Sequence, residues 1–94
     1  MRYRILHIPT GKFLCYFPDE IRFRRNIWFI LVNTEEEKNN ANSNYILTYK
    51  SKKYCIDVLN KLTAANAYLD CDAIDDPSIA STGMTKTEFE IIRI

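Results

Sequence analysis

Residues 51–62, Ser51-Lys52-Lys53-Tyr54-Cys55-Ile56-Asp57-Val58-Leu59-Asn60-Lys61-Leu62, decide the fold class. Ser51 stands where an N-cap belongs, its hydroxyl able to accept from an amide two or three residues on. Behind it Cys55, Val58, Leu59 and Leu62 fall at i, i+3, i+4 and i+7, the apolar stripe of an amphipathic helix. Lys52, Lys53, Asp57, Asn60 and Lys61 take the other side. The spacing predicts a helix over about 52–63, with a further turn or short helix through Ala64 to Leu69.

Outward from this helix, the apolar stretches carry the two-residue period of strands. Arg2 to Ile8 alternates, with Tyr3, Ile5 and His7 on one face. Pro9-Thr10-Gly11 follows as a turn, since Pro presets a turn-compatible φ and Gly admits a positive one. Lys12 to Phe17 then reads as a second strand, closing an N-terminal hairpin. After the break at Pro18-Asp19-Glu20, Ile21 to Arg25 alternates again. Ile27-Trp28-Phe29-Ile30-Leu31-Val32 is continuous, as expected of a central strand covered on both faces. Tyr45 to Tyr49 and Thr87 to Ile94 complete the set, the last pairing beside the N-terminal strand or the Trp28 strand. The predicted fold is therefore α+β: a mostly antiparallel sheet of about five strands with one amphipathic helix on one face.

Two segments have little to bury. Residues 33–44, NTEEEKNNANSN, read as a mobile polar loop, although Thr34 and the three glutamates after it could start a helical turn. Residues 70–86 read as an irregular acidic and polar connection. With 94 residues in all and no internal repeat, residues 1–94 are expected to form one domain.

Composition narrows the chemistry. Only two glycines, Gly11 and Gly83, argue against a glycine-rich phosphate cradle. The three cysteines, Cys15, Cys55 and Cys71, have no metal-like spacing, and each lies in or near apolar sequence, where a thiol acts as a small hydrophobe. The N-terminal MRYRILHIP alternates charge with apolar residues instead of forming an apolar run, which predicts no secretory signal and a reduced, cytoplasmic setting. The apolar run Ile27 to Val32 is far too short to cross a bilayer, so no membrane association is expected.

Candidate catalytic and metal constellations are weak. His7 could act as base to a Cys15 nucleophile across the hairpin, but no orienting third group is identifiable. Core and turn roles suit both residues better. Asp70, Asp72, Asp75 and Asp76 suggest a cation, yet a calcium loop counted from Asp70 has Ile74 fifth and Asp75 where glycine is needed. Neither a metal nor a cofactor is expected, and the chain reads as a non-enzyme.

Charge is uneven despite a net value of +1. Residues 1–32 carry +4, 33–44 carry −2, 45–62 carry +3 and 63–94 carry −4. Arg22, Arg24 and Arg25 interleave with Phe23, and Lys50, Lys52 and Lys53 form a second cluster. If adjacent, these six would make one basic binding surface, with Arg and aromatic side chains as anchors for a partner. The same residues could neutralise phosphates, with Tyr16, Phe23 or Tyr54 stacking on bases.

The layout of a hairpin carrying His7, Pro9, Thr10 and Gly11, a strand running into Tyr49-Lys50-Ser51-Lys52-Lys53, a helix, and a closing Glu88-Phe89-Glu90-Ile91-Ile92 strand resembles that of the small α+β accessory proteins of large tailed phages of the T-even kind. The richness in Asn, Lys, Ile and Tyr matches. The resemblance implies a host-takeover or anti-defence factor that acts by binding inside the host cytoplasm. Three functions follow in order of preference. The first is a non-catalytic inhibitor or modulator of a host protein with an acidic surface. The others are a nucleic-acid-binding accessory protein and a protein that sequesters a small nucleotide signal. Exposed edge strands also allow self-association.

Overall fold

The computed structural model describes residues 2–18, 27–64, 67–69 and 85–94. In chain order these form β1 (Tyr3–His7), β2 (Lys12–Phe17), β3 (Ile27–Val32), α1 (Glu35–Asn42), α2 (Lys52–Leu62), β4 (Ala67–Leu69), a 3-10 turn (Lys86–Glu88) and β5 (Phe89–Arg93). The strands make one sheet in the order β4-β3-β2-β1-β5. Four of them, β3-β2-β1-β5, are antiparallel, and the three-residue β4 joins β3 in parallel at the edge. The expected α+β architecture is present, and the closing strand lies beside β1.

The hairpin turns where the sequence predicts. Gly11 takes φ +70° and its N–H donates to the His7 carbonyl at 2.8 Å. A Cβ at Gly11 would meet nothing within 4 Å, so the glycine is required by backbone conformation and not by crowding. Beyond the turn the two strands stay paired only at Leu6–Phe13 and His7–Lys12. They then part, and residues 46–49 fill the fork. Ile46 exchanges backbone hydrogen bonds with Tyr16 (2.8 and 3.1 Å), and Tyr49 does so with Tyr3 (2.8 and 2.9 Å). Residues 45–49, expected as a strand, are instead a bent segment held by these two isolated bridges. Its role is to satisfy backbone groups that the splayed hairpin leaves unpaired.

Alternation along the strands divides the core between the two faces. Ile5, Leu14, Tyr16, Ile27, Phe29 and Phe89 pack against Cys55, Val58, Leu59 and Leu62 of α2. Cys15, Phe17, Ile30 and Val32 point the other way, onto Tyr45 and Leu47. The central β3 is thus covered on both faces, which explains its unbroken apolar run. Each large side chain buried in this way contributes about 1.5–3 kcal/mol.

Two further expectations change. Residues 33–44 are not a loop: Glu35–Asn42 is an α-helix with Thr34 as its N-cap. Ala67–Leu69 extends β3's edge as a strand instead of continuing a helix, after α2 ends at Leu62 and a Thr63 C-cap. The predicted connection over 70–86 falls mostly outside the described residues, as do residues 19–26; its last residue, Lys86, opens the 3-10 turn.

Candidate binding surface

The N-terminus of α2 forms as its sequence requires. The Ser51 hydroxyl accepts from the Tyr54 N–H at 3.1 Å, and the first turn that follows carries Lys52 and Lys53 and no acidic residue. A helix N-terminus already bears partial positive charge, so two lysines there deepen a positive potential that glutamates would normally relieve. Lys50, Lys52 and Lys53 are all exposed. Arg22, Arg24 and Arg25, the other half of the expected basic surface, lie outside the described residues.

The structure adds a partner that spacing does not suggest. Because Tyr3 pairs with Tyr49, the start of β1 is brought alongside residues 46–50. Arg2, Ile46, Thr48, Tyr49, Lys50 and Tyr54 line a cleft of about 370 Å³ between that segment and the start of α2. Arg2 reads in the sequence as one more alternating charge of the first strand. Only the bridge from Tyr3 to a residue 46 positions later gives it a site, and nothing local announces that bridge.

The floor of the cleft is rigid. Tyr49 is 1% exposed and its hydroxyl donates to the Leu14 carbonyl at 3.1 Å. Burial pushes its ionisation well above the usual tyrosine range, with the neighbouring Cys15, Cys55, Tyr54 and Tyr16 adding to the rise, so the phenol stays a neutral donor. The half-buried Tyr54 lies against it, ring centroids 5.6 Å apart at 33°. Among the described residues no carboxylate lines the cleft.

Other basic residues serve packing. The Arg4 guanidinium lies 5.1 Å from the Phe13 ring centroid, and Lys61 Nζ lies 5.8 Å from that of Tyr16. Neither adds to the cleft.

His7 and Cys15 do not meet. His7 pairs with Lys12 across the hairpin and therefore points to the face opposite Cys15. Its ring lies 4.9 Å from Phe89, its Nε2 lies 3.0 Å from Glu88 Oε2, and its Nδ1 lies 2.8 Å from Thr10 Oγ1. A carboxylate only accepts, which assigns the Nε2 proton toward Glu88. Thr10 Oγ1 also accepts from the Lys12 N–H at 3.3 Å, so this network ties the hairpin turn to the start of β5. Cys15 is fully buried, and that burial pushes its thiol up to about 12, with the Lys38 and Arg4 charges only partly opposing the rise. Such a thiol stays protonated and is a poor nucleophile.

Among the described residues, no three His, Cys, Asp or Glu side chains converge as metal ligands do. The acidic run Asp70, Asp72, Asp75 and Asp76 lies outside them. No helix among the described residues is long and apolar enough to cross a membrane. The arrangement thus defines an α+β domain with a basic, aromatic-floored cleft at the N-terminal end of α2. No family model matches this chain, and no curated protein or solved structure matches it.

Proposed function

We propose that the protein is a non-catalytic binding protein that recognises an acidic surface on a partner protein. The single observation behind this reading is the concentration of Lys50, Lys52 and Lys53, joined by Arg2, around the α2 N-terminus with, among the described residues, no carboxylate in the cleft or the first helical turn. Exposed charges of one sign raise association rates with a complementary surface, and that advantage fades as salt screens them. The resemblance to phage accessory proteins makes the partner a host protein and the outcome its modulation or inhibition.

The test compares capture by the wild-type chain with capture by the triple variant Lys50→Glu, Lys52→Glu, Lys53→Glu. An acidic protein recovered from host extract at about 50 mM salt is purified and rebound directly. The expected result is binding that weakens with salt and drops at least about tenfold in the variant, while the melting temperature is unchanged. Equal binding by the variant overturns the reading. Retention that disappears on nuclease treatment assigns the basic residues to nucleic acid instead.

A further inference from the structure

We infer that the cleft between residues 46–50 and the start of α2 is a small-ligand site that takes a nucleoside monophosphate. This goes beyond recognition of an acidic protein, because it rests on the shape and lining of the cleft and not on the surface charge around it.

Three features combine. The first is size. A volume of about 370 Å³ falls at the small end of ligand pockets, which suits one nucleotide unit and not an extended polymer.

The second is the aromatic floor. Tyr54 is backed by Tyr49, and Tyr49 is fixed by burial and by its hydrogen bond to Leu14. A planar base stacking there meets a ring already held in place, so little side-chain freedom is lost on binding. An acidic side chain or a bare phosphate would leave this surface unused.

The third is the set of polar groups around that floor. Arg2 and Lys50 line the cleft from two segments far apart in the chain, and neither side chain forms an ion pair among the described residues. A guanidinium offers paired donors matched to phosphate oxygens, and an ammonium adds a mobile point charge. Thr48 takes part in no hydrogen bond among the described residues, which leaves its hydroxyl to a ribose or base edge. A cation pair, a stacking ring and a hydroxyl in one cleft are the groups a phosphate, a base and a sugar would each engage.

The experiment titrates the full chain with AMP, GMP, CMP and UMP, and separately with adenosine and inorganic phosphate. Binding is read by calorimetry and by the tyrosine ring signals. At least one monophosphate is expected to saturate with a Kd of about 1 mM or tighter, the purines ahead of the pyrimidines. Adenosine and phosphate are expected to bind at least about tenfold more weakly, since each meets half the site.

Arg2→Glu with Lys50→Glu should weaken the monophosphate at least about tenfold with no change in melting temperature. Tyr54→Leu should weaken it by about five- to a hundredfold while leaving phosphate unaffected. If Tyr54→Leu fails to fold, the exposed Arg2 and Lys50 pair still decides the matter. Lys52→Glu with Lys53→Glu, outside the cleft, should weaken partner capture severalfold yet retain the nucleotide within about threefold, which separates this site from the protein-binding reading. No saturation by any monophosphate up to about 5 mM overturns the inference. So does inorganic phosphate binding as tightly as AMP.

Discussion

The two helices of this domain are held by opposite means. α2 buries Cys55, Val58, Leu59 and Leu62 against the sheet and would lose most of its stability with them. α1 has no buried apolar side chain; the one residue it buries is Lys38, at 8% exposure. Its order comes from its ends. Thr34 accepts from the Glu37 N–H at 3.2 Å, Glu37 in turn accepts from the Asn33 N–H, and three glutamates sit where the helix dipole favours them. At the other end Lys38 Nζ donates to the carbonyls of Ser43 and Tyr45, at 3.1 and 3.0 Å. The ammonium thus closes the turn that delivers Tyr45 and Leu47 to the second face of the sheet. A short polar helix can be positioned by two capping networks where a longer one is positioned by an apolar stripe.

The largest break in this comparison is Leu62→Ala. Leu62 is 1% exposed at the heart of the α2 face, and truncation there leaves a cavity as well as losing apolar burial. The expected cost is about 2–5 kcal/mol in urea unfolding, lost in a single cooperative transition. A loss under about 1 kcal/mol would mean that α2 does not anchor the sheet as described.

Lys38 provides the matching break in α1. Lys38→Met keeps most of the stem but removes the donor, deleting the buried hydrogen bond that Lys38 gives the Tyr45 carbonyl. The expected cost is about 1–3 kcal/mol, with the aromatic signals of Phe17 and Tyr45, now 5.2 Å apart edge to face, shifting with it. If Lys38→Met is neutral while Leu62→Ala is severe, α1 is an appendage and not a support for the second face.

The same contrast explains which parts of the molecule were readable beforehand. The α2 stripe, the Ser51 cap, the Gly11 turn and the continuous β3 run are local patterns, and each sits where its period or its φ requirement puts it. α1 escaped because its support is not periodic: Lys38 looks like a solvated charge until Ser43 and Tyr45 fold back over it. Residues 45–49 alternate like a strand, but they meet a hairpin whose arms diverge, so they pair at Ile46 and Tyr49 alone. The cleft was half legible. Lys50 stood out by charge and Tyr54 as an aromatic that might stack, whereas Arg2 and Thr48 join them only through the long-range Tyr3–Tyr49 bridge.

Alkaline pH offers a break aimed at the core shared by both faces. The buried Cys15 thiol stays protonated to about pH 12 when folded, against an ordinary value of 9.0. The unfolded chain therefore releases this proton first as pH rises, and unfolding is favoured progressively above pH 9. Stability measured by urea midpoint should be flat near neutrality with respect to this group and fall between about pH 9 and pH 12. Cys15→Ala should flatten that decline without removing it, because the buried Tyr49 hydroxyl acts in the same direction.

The finest distinction comes from the caps themselves. Thr34→Ala and Ser51→Ala each delete one side-chain acceptor for an N-terminal amide, at a cost of about 1 kcal/mol apiece. The consequences should differ in where they appear. α2 is pinned by four buried side chains, so Ser51→Ala should lower the global unfolding free energy while leaving α2 amides protected to the same cooperative limit. α1 has no such anchor, so Thr34→Ala should expose its amides to hydrogen exchange by local opening while the melting temperature barely moves. Equal loss of global stability from both substitutions would show that α1 unfolds only with the rest of the domain, and that its capping networks hold the second face as firmly as burial holds the first.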